Sequence, residues 1–214
     1  MQQGVSKFQC RCGQLQGTLT VPVLAHLACH CSDCQTYAHA LGHPDQVLDE
    51  HGGTDVVTTL QQHLSFTEGQ QYLACLSLSE QGMLRWYASC CDTAIANTPR
   101  DPKLSFVSLV HTSLGASDGA LAAKLGTTRV PVNPKHATGM IAYSAIAALF
   151  STVRIVVSVL YARANGSWKR SPFFRPGSAD PIVVPRMLSG AEWVRANSAL
   201  DAEHRRLASL QDEA

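Results

Sequence analysis

The stretch Cys29-His30-Cys31-Ser32-Asp33-Cys34, which runs on to Leu41-Gly42, puts three thiols within six residues of a 214-residue chain that carries eight cysteines. In an extended segment alternate side chains share a face, so Cys29 and Cys31 point the same way. That arrangement suits shared binding of one ion better than a strained bridge. Ser32 or Asp33 can cap a helix through Tyr37 to Leu41, with Gly42 as its stop. Cys34 then lies at the start of that helix, where the macrodipole and free N–H groups favour a thiolate. A chain of this length needs no disulfide staples for want of a core, and its opening residues, MQQGVSKFQC, show no basic segment leading into an apolar run. A reducing, cytoplasmic setting is therefore expected, where clustered cysteines bind metal or do chemistry.

Composition describes an ordinary globular chain, 45% hydrophobic and 15% charged. Seventeen basic against sixteen acidic residues leave no electrostatic footprint for nucleic acid, and no basic cluster stands out beyond the short WKR at Lys169. A nucleic-acid partner is not expected.

From Phe8 to about Leu114 short strand-like runs alternate with turn residues, and all eight cysteines lie in this part. Strands are predicted in QLQGTLTV, HLSFTEG, QYLACLSLS, GMLRWYAS and LSFVSLVHTSL, with a hairpin loop at Ser79–Gly82. The fold class expected is mainly β with a C-terminal α-helical extension, divided into a zinc-binding β domain over 1–115, a linker over 116–138 holding at most one helical turn, and helices over 139–214. Around Ile146–Leu160 the chain is apolar enough to raise the question of a membrane span, but Arg154 sits in its middle. At a helical period Ile146, Leu149, Phe150, Val153, Val156, Val157 and Leu160 fall in one arc, while Ser151, Arg154 and Ser158 share another. The first arc is expected to pack on the β domain or another subunit, with the second facing outward and no membrane span; a helix lying on a lipid surface is the alternative. Ser189 and Glu192 form a capping box ahead of a last helix, in which Trp193, Leu200 and Leu207 can pack on the body or build a homo-oligomer.

Two more cysteine groups complete the picture, Cys10-Arg11-Cys12-Gly13 near the start and Cys90-Cys91-Asp92-Thr93 after the RWYAS strand. A CxC before glycine, a CxCxxC seventeen residues later and a cysteine pair before a threonine-bearing turn resemble the glutathione-dependent formaldehyde-activating enzymes, a family that includes the centromere protein V domain and has the Mss4-like zinc fold. The resemblance covers about the first 115 residues. It implies two Zn2+ ions per chain. Cys10 and Cys12 would pair with the late cysteines around a structural ion, and Cys29, Cys31 and Cys34 would hold a second. The family's usual late CxxCG is collapsed here to Cys90-Cys91, with Ala88 where the first cysteine would align and Asp92 in place of glycine. Cys91 is the ligand that aligns, and Cys90 the candidate fourth, although adjacent side chains diverge unless the backbone bends.

The residues by themselves support the same chemistry, because soft thiolates at CxC and CxxC spacing supply the tetrahedral set zinc prefers. Three thiolates leave a position for a small thiol or thiol adduct, such as one of glutathione, and the resemblance implies a carbon–sulfur lyase. The rival readings are a non-catalytic zinc-stabilised scaffold whose C-terminal helices bind a partner, and a thiol redox sensor. His30 alternates away from its neighbouring cysteines and is expected in a turn or core. His39, His43 and His51 are near in sequence but expected at the surface, and Cys75 reads as a small buried hydrophobe. Gly52-Gly53-Thr54 lacks the lysine and spacing of a phosphate loop and is expected to be a turn. Trp86 and Tyr87 are expected to fill a core or wall a pocket.

Overall fold

The computed structural model describes residues 5–20, 22–114 and 129–212. Among the described residues eleven strands form two sheets. The smaller sheet has β1 (Val5–Gln9), β2 (Gln16–Thr20) and β5 (Leu64–Glu68), in that spatial order and antiparallel. The larger contains β3 (Ala25–Cys29), β4 (Thr54–Leu60), β6 (Leu73–Ser77), β7 (Leu84–Ala88), β8 (Thr93–Thr98), β9 (Phe106–Val110), β10 (Val130–Val132) and β11 (Arg186–Met187). Their order is β10-β3-β4-β9-β8-β7-β6-β11. The helices are α1 (Ser32–Ala40), α2 (Pro44–Val47), α3 (Ala145–Ala164) and α4 (Gly190–Asp212). The chain is thus mainly β with a C-terminal helical part.

Both outer strands of the large sheet come from beyond residue 128. β10, within the stretch read as a linker, pairs parallel with β3, and β11 pairs parallel with β6. Covering both edges satisfies backbone groups that would otherwise template pairing with another chain. One short helical turn, Pro134–His136, lies within the described end of that stretch.

The two-residue period of the strands sorts side chains onto two faces, and both faces are buried. Val57, Trp86, Ile95 and Leu109 face one core with Phe8, Leu15 and Leu19 of the small-sheet region. Val56, Leu76, Ala94 and Val110 face the other with Tyr37, Ala38 and Leu41 of α1. Trp86 is fully buried and its Nε1–H donates to Thr98 Oγ1 at 2.9 Å, so the indole leaves no unpaired donor in the core. Cys75 is buried in the same core, where desolvation pushes its thiol up to about 12 and keeps it neutral. Phe173 comes from after α3, packs against Trp86 and Phe66, and has no exposed surface.

The orientation of α3 is the reverse of the one its apolar arc predicts. Val159 and Ala162 are buried against Leu24 and Leu60, with Ile155 and Phe106 at the margin. Ser151 and Ser158 are half-buried on this side, whereas Ile146, Leu149, Phe150, Val153, Val156, Val157 and Leu160 are all exposed. The inward side sets Val159 and Ile155 beside the smaller Ala162, Ser151 and Ser158. The hydroxyls there cost little, since Ser158 donates to the Arg154 carbonyl at 2.8 Å within the helix. Arg154 faces outward as expected.

The last helix docks on the body. Ser189 and Glu192 exchange the two hydrogen bonds of a capping box, Glu192 Nα–H to Ser189 Oγ at 3.3 Å and Ser189 Nα–H to Glu192 Oε2 at 2.8 Å. Together with Arg186 they hold the Glu192 carboxyl down at about 2. Ala196 and Leu200 are buried, Trp193 is partly exposed, and the side chain of Leu207 lies outside the described residues.

Phe173→Ala tests whether the segment after α3 belongs to the β core. Removing a fully buried ring that touches two other aromatics should lower unfolding free energy by about 3–5 kcal/mol in urea denaturation. A loss under about 1 kcal/mol would show that the segment merely rests on the core.

Candidate metal centres

Seven of the eight cysteines gather into two groups, Cys10 with Cys12, Cys90 and Cys91, and Cys29 with Cys31 and Cys34. Within each group the sulfurs lie within 4.8 Å of one another. No two are bonded as disulfides.

The first group joins the turn after β1 to the tight β7–β8 connection. Sulfur separations are 3.5 Å for Cys10–Cys12, 3.7 Å for Cys10–Cys90, 3.4 Å for Cys12–Cys90 and 3.8 Å for Cys90–Cys91. A tetrahedral zinc with Zn–S bonds of about 2.3 Å requires sulfur edges of about 3.8 Å, so the four thiols fit that ion. The turn is shaped for it: Gly13 has φ 75°, and the Leu15 N–H donates to Cys10 Sγ at 3.3 Å.

Adjacent Cys90 and Cys91 both reach the group because Asp92 adopts φ 51°, the left-handed region glycine takes most easily and Asp tolerates. Burial raises the Cys91 thiol, but the Thr93 hydroxyl at 3.0 Å and hydrogen bonds from Cys12 and Cys10 overcome it and bring it down to about 6. Desolvation and its three thiol neighbours push Cys90 the opposite way. Thiols crowded this closely share protons when no cation balances them.

The second group is built by the end of β3 and the first turn of α1. Cys29 and Cys31 sulfurs lie 3.4 Å apart, and Cys34 and Cys29 sulfurs 3.6 Å. The cap of α1 is Cys31, not Ser32 or Asp33: its sulfur accepts the Cys34 N–H at 3.4 Å. A thiolate at that position meets the positive end of the helix, so the ligand also serves as the cap. Hydrogen bonds from the Cys29 and Cys31 thiols hold Cys34 well below its usual value against the cost of burial, and Arg85 adds to this. The same sharing drives Cys29 far up.

Arg85 is the residue that sequence reading missed. It lies on β7 between Leu84 and Trp86, is 2% exposed, and donates from a guanidinium N–H to Cys34 Sγ at 3.5 Å. The same nitrogen lies 3.4 Å from Asn97 Oδ1, and the guanidinium stacks 5.3 Å from the Tyr37 ring. The other terminal nitrogen lies 3.7 Å from the half-exposed Asp33 carboxylate. An arginine inside an apolar strand was the available signal, since a buried cation requires an anion nearby.

The histidines stay apart from both groups. His30 is buried on the opposite side of the strand end, under Gly53, where an added Cβ would come within 2.6 Å of its ring. His39 is not at the surface but sits beneath α4, 3.1 Å from Glu203. His43 approaches Arg11 at 3.4 Å, and His51 contacts the Thr138 carbonyl at 2.9 Å. Among the described residues no fourth protein ligand joins Cys29, Cys31 and Cys34. Gly52, with φ 74°, turns the chain into β4 as expected.

α4 secures the helix that carries the second group. Gln35 donates to the carbonyls of His30 and His136, at 2.8 and 3.0 Å, and its oxygen lies 2.8 Å from His204 of α4. Thr36 bonds Asn197 at 3.2 Å. One buried amide therefore links the cysteine turn, the segment after β10 and the last helix.

Residues 2–182 match the model of a family of unknown function, DUF6151. The chain belongs to that family. The DUF6151 match takes in both cysteine groups, Arg85, α3 and Phe173. No curated protein matches the sequence. A crystal structure of a Rhodobacter sphaeroides protein is similar over 58% of this chain and 97% of its own, at 16% identity and a TM-score of 0.40.

Cys10→Ser or Cys91→Ser should abolish soluble expression or unfold the protein if the four thiols hold a structural zinc, since such an ion would contribute on the order of 10 kcal/mol. Chelation should do the same, while Cys75→Ala should leave metal content unchanged. Wild-type thermal stability in both serine variants would refute a structural role for the first group.

Proposed function

We propose that this DUF6151 protein binds two zinc ions, one structural and one at a centre that takes a small thiol, and that the second centre serves a carbon–sulfur lyase of the formaldehyde-activating type. The observation that carries this reading is the unequal ligand count, four converging thiols in one group against three in the other among the described residues. The resemblance of the cysteine spacing to the formaldehyde-activating enzymes supports the reaction class, while fold and family alone leave function open.

Cys29, Cys31 and Cys34 would hold the second ion, which supplies a Lewis-acid position favouring a soft thiolate such as that of glutathione. The chain's own residues set the charge there. Three thiolates around a divalent ion leave one net negative charge, and the Arg85 guanidinium against Cys34 offsets it in a buried setting where Coulomb terms are strong. Asp33, half-exposed and screened by water, returns less than Arg85 supplies. Arg85 thereby makes room for an incoming anionic sulfur. In the lyase direction the substrate's carbon–sulfur bond breaks with its electron pair going to sulfur, and the hydroxyl proton of the hydroxymethyl adduct departs as the aldehyde forms.

Cys31→Ser should fold with about one zinc per chain and lose both thiol binding and lyase turnover. Metal analysis, calorimetric titration with glutathione and X-ray absorption of the wild type check this. Four protein ligands around both ions, with a spectrum unchanged by glutathione, would replace the proposal with a zinc-stabilised scaffold.

A further inference from the structure

α3 is 20 residues long, strongly apolar and mostly unburied. By length and composition it can cross a bilayer. Its docking says otherwise: Ile155, Val159 and Ala162 are fixed against β-domain residues along one side of the helix. A spanning helix must give its whole length to the hydrocarbon, which needs about 20 residues clear of any flanking domain.

The opposite side is apolar without interruption. Ile146, Leu149, Phe150, Val153, Val157 and Leu160 are between 50% and 82% exposed. With Val156 and Tyr161 they form one continuous exposed apolar face, where a soluble monomer usually scatters such residues. An apolar face alone does not choose between a second copy and a bilayer, since either can cover it.

Charge does choose. Residues 139–179 contain Arg154, Arg163, Lys169, Arg170 and Arg175 and not one Asp or Glu. All five side chains are exposed, and no carboxylate among the described residues forms an ion pair with them. At about 100° per residue Arg154 borders the apolar arc on one side and Arg163 on the other. Two copies of this face brought together would set arginines against arginines with no acid between them. Long basic side chains bordering an apolar stripe instead suit a lipid surface, where their stems lie along hydrocarbon and their heads meet phosphates.

We propose that α3 is a membrane-surface helix, its outward apolar face seated in the headgroup region of an anionic bilayer and its basic border, Arg154 and Arg163, paired with lipid phosphates. Tyr161 and Trp168, near the C-terminal end of the helix, are of the type that settles at that depth. The β domain remains outside the lipid, so the contact recruits the whole protein to a surface without threading it through.

Co-sedimentation of the full-length, metal-loaded protein with mixed phosphatidylcholine–phosphatidylglycerol vesicles tests this directly, with pure phosphatidylcholine vesicles as the comparison. Binding to the anionic vesicles should be at least about tenfold tighter and should weaken as salt rises. Arg154→Gln with Arg163→Gln should cost about fivefold per residue on anionic vesicles. Phe150→Glu, at an exposed position, should cost more than about tenfold with metal content and circular dichroism unchanged. Three results would overturn the proposal: no preference for anionic vesicles, a stable dimer in light scattering that Phe150→Glu dissolves while vesicle binding is absent, or retention in membranes after alkaline carbonate washing.

Discussion

Four thiols from positions eighty residues apart converge within one tetrahedral coordination radius, and the β domain is organised around that convergence. Cys10 and Cys12 come from the turn after β1, and Cys90 and Cys91 from the connection between β7 and β8. The crowding sets neighbouring thiols against one another, drawing Cys91 down to about 6 and pushing Cys90 up. A divalent ion held there would take all four as thiolates. It would also tie the small sheet to the large one at the point where Trp86 and Phe8 share a core.

The second thiol group depends on a different kind of support. Its three sulfurs sit at a strand-to-helix turn whose cap is itself one of the ligands. Behind that turn, Arg85 supplies the fixed positive charge and Gln35 the hydrogen bonds that hold the backbone. Gln35 also reaches α4, so the C-terminal helix buttresses the very element that carries the cysteines. The β strands beyond residue 128 do the same for the sheet by closing both of its edges. What reads along the chain as an added tail is, in space, part of the frame around the site.

α3 combines two faces with different uses. Val159, Ala162 and Ile155 meet the β domain, and the broader arc of large apolar side chains is left to solvent. Hydrophobic periodicity finds the broad arc, but the narrower, mixed side is the one the sheet covers.

The sequence by itself determined the alternating β pattern, the helix after the cysteine run, the capping box at Ser189 and Glu192, and the compact CxCxxC run set apart from the early and late cysteine pairs. Each is local chemistry: spacing along an extended strand, an N-cap, a turn residue with a left-handed backbone. Only the tertiary structure decided that adjacent Cys90 and Cys91 reach one group, that Cys31 caps α1, and that Arg85 backs Cys34. It alone put β10, β11 and Phe173 into the sheet edges and core, and the narrower, mixed side of α3 inward. Cys31 as cap and the Cys90–Cys91 bend turn on local backbone angles that residue type alone leaves open. The rest depend on what lies across a sheet or beneath a helix, at sequence separations of 51 residues for Arg85 and Cys34 or 169 for Gln35 and His204, where neither period nor propensity carries information.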